Sequence, residues 1–162
     1  MGYVISAIIV FALYTMLYII TQKQVPSSLS ASVFALNENN RWVWTAMIFY
    51  VCFMCVPTYI EKTGENTQFL AFIAIAALAF VGAAPLVKSH KELAYKVHCV
   101  AAVVCAVCSQ LVIMFNQPWL LFCWFPFVVA FAYMWAAHFA WRTKTFWAEM
   151  VCFGSTFIFC LI

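Results

Sequence analysis

The sequence predicts an all-α, polytopic membrane protein, a bundle of six transmembrane helices forming one domain over residues 1–162 with both termini on the exterior side. Three observations carry this expectation. The chain is 68% hydrophobic and 8% charged, with a mean hydropathy of +1.01, whereas an ordinary soluble domain has about a quarter of its residues charged. Its apolar residues fall into six runs, and at about 20 residues per span six is near the ceiling for this length. Its basic residues are distributed unevenly between those runs.

The runs cover residues 2–21, 42–60, 68–87, 94–115, 118–141 and 145–162. The first, Gly2 to Thr21, lacks a charged leading region and a small-x-small cleavage site, and its apolar stretch is too long for a signal peptide, so it reads as a retained helix. The second opens on Trp42 and Trp44 and carries Pro57. The third joins the Ala-rich AFIAIAALAF to Gly82, Ala83, Ala84 and Pro85, a smooth face that permits close packing and a central position. The fourth holds His98 and a C-x-x-C pair. The fifth, with Pro126, follows the short turn Asn116–Gln117, and the sixth ends at Ile162 without a polar tail. Pro57, Pro85 and Pro126 each remove a backbone hydrogen bond, predicting kinks whose freed carbonyls bind a neighbour, water or a ligand. Trp42, Trp44, Trp119, Trp141 and Trp147 lie near span ends, where amphipathic rings favour the interface.

The one long connection, Gln22 to Arg41, contains PSSLSASVFALNENNR. Pro26 with Ser27 or Ser28 starts a short helix and Asn37, Asn39 and Asn40 stop it, giving either an amphipathic connector or a re-entrant segment at the inner leaflet. Charge then orients the spans. Odd-numbered connections and their flanks hold Lys23, Arg41, Lys88, Lys91, Lys96, Arg142 and Lys144, against Lys62 alone in the even-numbered ones. The positive-inside rule makes the odd loops cytoplasmic and places the polar group Glu61, Glu65, Asn66 and Gln68 outside, in a cell membrane, the inner one if the host is prokaryotic. The scattered cations form no basic face, so the net charge of +3 is a topology signal and no nucleic-acid module is expected.

Ionisable side chains at membrane depth are costly and mark sites or partners. His98, His138 and Glu149 are predicted at one depth, roughly 5–7 Å below the inner interface at 1.5 Å rise per residue. Consecutive spans four, five and six would bring them together, with Ser28 and Ser30 as cytoplasmic-side partners. The trio admits three readings: side chains that snorkel or cap backbone groups, a ligand site or proton relay, or a divalent-metal site. The eight cysteines include the pairs Cys52/Cys55 and Cys105/Cys108 near mid-membrane. Burial in hydrocarbon disfavours a thiolate there, so packing is the expected role, and structural disulfides are not expected. The chain has no Asp, no Walker or Rossmann glycine pattern, no G-x-S-x-G and no H-E-x-x-H.

The stretches PSSLSASVFAL, RWVWTAMIFY, ENTQFLAFIAIAALAFVGAAPL and KVHCVAAVVCAVCSQL, over about residues 24–112, resemble a family of uncharacterised conserved integral membrane proteins of gut Bacteroidetes and their phages. The matching positions are Ser28, Ser30, Asn66, Gln68, Phe69, Leu70, Gly82, Ala83, Ala84, Pro85 and His98; Val33-Phe34 stand where such proteins often have an aromatic pair. The resemblance implies no activity. A looser likeness is to membrane hydrolases of the alkaline ceramidase and progestin-receptor-like superfamily, which use Ser and intramembrane His residues around zinc but need an Asp and three His in a seven-helix core. The expectation is a transporter-like, channel-like or ligand-binding bundle with a polar site near the cytoplasmic leaflet, acting as an oligomer or beside a membrane partner. An intramembrane metal-dependent hydrolase using the same site and a purely structural protein are the alternatives; no cofactor is identified, a divalent metal being the one considered.

Overall fold

The computed structural model describes residues 1–87, 91–138 and 140–162, apart from the Lys91 side chain. These residues form α1 (Gly2–Gln22), α2 (Ala31–Ala35), α3 (Arg41–Lys62), α4 (Gln68–Ala83), α5 (Lys91–Asn116), α6 (Phe125–Ala136) and α7 (Lys144–Leu161), with short 3₁₀ segments at Glu38–Asn40, Glu65–Thr67, Ala84–Leu86 and Pro118–Trp124. No strand occurs among the described residues. Five stretches, Gly2–Gln22, Glu38–Lys62, Glu65–Leu86, Glu92–Asn116 and Pro118–Ala136, are long and apolar enough to cross a membrane. The last helix, α7, is not one of them: it has 18 residues and includes Lys144 and Glu149.

Neighbouring helices run antiparallel. Tyr50 of α3 donates to Ser6 of α1 while Tyr14 of α1 stacks edge-on against Trp44. Thr45 reaches Gly82 of α4, and α4 pairs with α5 through Val81–His98 at one end and Thr67–Asn116 at the other. Glu149, early in α7, meets Ser30, whereas Phe159, late in α7, meets Tyr59. Both ends of the chain therefore lie at one end of the bundle, where Val4, Tyr59, Phe159 and Cys160 share a cluster.

In α1 the buried residues Val4, Ala7, Phe11, Thr15 and Tyr18 recur every third or fourth position, one stripe of a helix. α4 is the most buried of the five apolar stretches and turns Ala71, Ala74 and Ala77 inward. A Cβ built on Gly82 would lie 2.8 Å from Ile48 Cγ2, so α3 and α4 approach this closely only because position 82 carries no side chain.

The three prolines lie within the expected apolar stretches: Pro57 inside α3, Pro85 in the 3₁₀ turn that ends α4, and Pro126 in the first turn of α6, directly after the Pro118–Trp124 3₁₀ segment. Other expectations are corrected. The fifth helix stops at Ala136, well short of residue 141, and His138 follows it with φ 51°, a left-handed residue of the kind that terminates helices. Trp42, Trp119 and Trp147 are exposed, but Trp44 is 1% exposed and belongs to the core, and Trp141 packs on Phe127 and Phe131. The charge at Lys88 and the side chain of Lys91 lie outside the described residues.

Candidate ligand cavity

A half-open cavity of about 680 Å³ lies along the bundle. Its lining extends from Ser28, Ser30, Lys144 and Glu149 at one end to Tyr59 and Trp124 at the other. Along α5 it reaches from Tyr95 to Ser109, roughly 20 Å at 1.5 Å rise per residue. Most of the wall is apolar or thiol-bearing, including Val51, Leu78, Ala102, Val103 and Phe157.

The polar end is assembled from the long connection and α7. Lys23, left-handed with φ 52°, closes α1, and Pro26 cannot extend it. The chain then enters the bundle instead of lying across its end: Leu29 is 1% exposed, Ser32 and Val33 are fully buried, and Leu29 and Val33 join the cluster of Trp44, Ile48 and Phe157. The N–H groups leading into α2 have no helical acceptor. The Glu149 carboxylate supplies one, accepting from the Leu29 N–H and, at 2.9 Å, from the Ser30 hydroxyl. Ser28 Oγ accepts the Ala31 N–H at 2.8 Å and lies 3.3 Å from Ser30 Oγ, while the Phe146 N–H donates to the Ser27 carbonyl at 3.1 Å. Tyr14 adds a 2.9 Å bond to Ser32. Residues 26–35 are thus a plug latched to the first turns of α7. Arg142 and Lys144 stand exposed at its rim.

His98 lies in the wall, and Pro85 explains its orientation. In a continuous helix the N–H of residue 85 would bond the Val81 carbonyl, but proline has none. Val81 O is bonded instead by His98 Nδ1 at 3.0 Å and by Trp44 Nε1 at 3.4 Å, and Thr45 Oγ1 donates to Gly82 O at 2.7 Å. Since a carbonyl only accepts, Nδ1 carries the proton, and Nε2 of the neutral ring is a bare acceptor. Phe34, at 5.4 Å and 87°, and Trp44, at 6.4 Å, fix the ring between them. His98 is 1% exposed, and its Nε2 has no hydrogen-bond partner among the described residues. At the other end of the cavity the Tyr59 hydroxyl is also buried without a partner.

The structure therefore brings together Ser28, Ser30 and Glu149 directly and puts His98 in the wall of the same cavity. His138 does not join them; it is exposed beyond the end of α6 and does not line the cavity. Among the described residues no three His, Cys, Asp or Glu side chains are grouped so as to hold a metal ion, so the proposed trio His98, His138 and Glu149 is not assembled. All eight cysteines are free, and Cys52, Cys55, Cys99, Cys105 and Cys152 line the cavity.

Two residues escaped sequence reasoning. Gln110 Oε1 accepts from Trp124 Nε1 at 2.8 Å and from Ser155 Oγ at 3.2 Å, tying α5, the Pro118–Trp124 turn and α7 together. Asn116 accepts the Gly64 N–H at 2.8 Å and donates to Thr67 at 3.0 Å, fixing the α3–α4 connection. The signal in the sequence was an amide in or at the end of an otherwise apolar run. Comparison of the chain with protein-family models, with curated proteins and with solved structures finds no match.

Proposed function

We propose that the chain is a multi-pass, ligand-binding membrane bundle of transporter-like plan, in which six spans surround a cavity that takes an apolar molecule from the membrane. The cavity itself carries this reading. Its apolar lining suits a hydrophobic molecule, and its polar atoms are concentrated at one end, the arrangement expected of a small-molecule site. The plug of residues 26–35 closes that end with a few bonds to Glu149 and Phe146, a latch whose opening would admit or release the occupant.

Six spans with both termini outside are part of the proposal. α7 runs in the same direction as α3 and α5, and an alternating bundle needs it as the sixth crossing. Among the described residues Lys23, Arg41, Lys96, Arg142 and Lys144 belong to the plugged side and Lys62 to the other, which by the positive-inside rule supports a cytoplasmic plug. A topology reporter fused after Ile162 is expected to be active only on the exterior side of the cell membrane; cytoplasmic activity would overturn the sixth crossing.

The binding reading is tested with an environment-sensitive apolar fluorophore and detergent-purified protein. Saturable binding is expected, and Ala102→Trp, which fills the cavity from α5, should weaken it at least about tenfold. Binding that this substitution leaves unchanged would place the fluorophore elsewhere and sink the cavity reading.

A further inference from the structure

Resting on the cavity-binding reading, we infer that the cavity selects a neutral long-chain lipid bearing a hydroxyl group, and that the hydroxyl donates a hydrogen bond to His98 Nε2. The first ground is the chemistry of the ring. Its Nδ1 proton is committed to Val81 O, so Nε2 offers only a lone pair. A buried acceptor left unmade in an apolar wall is unfavourable, and buried polar groups are ordinarily bonded. Among the described residues no donor meets it: the single indole proton of Trp44 goes to Val81 O, the Ser30 proton to Glu149 and the Ser32 proton to Leu29 O.

The second ground is the shape and lining of the cavity. Leu78, Ala102, Val103 and Phe157 contribute apolar surface along a channel of roughly 20 Å measured on α5, a length suited to an extended acyl or alkyl chain. The third is charge. A carboxylate or phosphate has no proton to give Nε2, and its oxygens would face another acceptor. The cations of the rim, Arg142 and Lys144, are exposed, so water already solvates them. A hydroxyl satisfies the ring without bringing a charge into the bundle.

The test uses the full chain in lauryldimethylamine oxide, a detergent without hydroxyl groups that would compete. Hexadecanol, its methyl ether and hexadecanoate are titrated against the bound apolar fluorophore. Hexadecanol is expected to displace it at a concentration about tenfold lower than the ether, the difference one hydrogen bond to an otherwise unpartnered buried acceptor makes. His98→Phe keeps an aromatic ring of similar size and should bring alcohol and ether to equal potency. Should that variant fail to fold, the ¹⁵N resonance of His98 Nε2 in the unmodified protein decides: it should move on adding hexadecanol and stay in place with the ether. Equal potency of alcohol and ether in the unmodified protein, or an unmoved resonance, would overturn the assignment while leaving cavity binding intact. Hexadecanoate binding more tightly than hexadecanol would overturn it in favour of selection by Arg142 and Lys144. If the fluorophore itself does not bind, the cavity reading fails and this inference with it.

Discussion

At the plugged end of the bundle, the Glu149 carboxylate accepts from Leu29 and Ser30 while Phe146 donates to Ser27; in the cavity wall, His98 Nε2 and the Tyr59 hydroxyl are buried yet have no partner. Both regions place polar atoms inside an apolar protein, where each unmade hydrogen bond is unfavourable. At the plug the Glu149 carboxylate and the Phe146 N–H are met from within, joining a short segment to a helix more than a hundred residues away in sequence. In the wall an acceptor and a hydroxyl have no partner among the described residues. The difference separates a group bonded within the protein from groups that the described residues leave unbonded, although both are polar residues inside an apolar bundle.

The comparison breaks most visibly at Glu149. Glu149→Ala strands the Leu29 N–H and the Ser30 hydroxyl together and should destabilise the detergent-solubilised protein by about 2–3 kcal/mol. Glu149→Gln, which keeps one acceptor, should lose clearly less. Thermal unfolding of both variants measures this, and an unshifted midpoint for the alanine variant would show that the latch contributes nothing. A smaller loss, about 1 kcal/mol, is expected for His98→Phe in the absence of added lipid, because Val81 O keeps its bond from Trp44 and only the Nδ1 bond disappears. A loss matching that of Glu149→Ala would mean that Nε2 is bonded after all. Smallest of all is Tyr59→Phe. Removing a hydroxyl that has no partner should leave stability within about 0.5 kcal/mol of the unmodified protein, and a loss above about 1.5 kcal/mol would reveal a bond at that oxygen.

Much of the fold was legible because its signals are local. Long apolar runs and the short polar connections between them, such as Glu61–Thr67 and Asn116–Gln117, each act on contiguous residues, and the corresponding helices lie within a few residues of their expected bounds, except the fifth. That helix was read through to residue 141 because Ala136, Ala137, Phe139 and Ala140 are as apolar as the residues before them. Hydropathy does not register that His138 turns left-handed and ends it. The same error displaced His138 from the site. Ser28, Ser30 and Glu149 were read correctly as neighbours, since a polar connection and an early carboxylate in the last helix belong to the same end of an alternating bundle. Trp44 was misread for the opposite reason: nearness to a helix end says nothing about which way an indole points, and this one points into the core to meet Val81.

The amino-acid sequence alone points to an all-helical chain with at least five apolar stretches of spanning length, and it offers Ser28 and Ser30 as partners for Glu149. These follow from composition and chain order, because hydrophobic transfer sums over neighbouring residues and short turns force neighbouring helices to alternate. Only the tertiary structure decided that the serine segment enters the bundle as a plug, that Pro85 hands the Val81 carbonyl to His98, and that Nε2 and the Tyr59 hydroxyl are buried without a described partner in residues that line a cavity. Those outcomes depend on the rotation and crossing of each helix against the next, set by close contacts such as Gly82 on Ile48. Packing between residues distant in the chain fixes such angles, and no local property of the sequence encodes them.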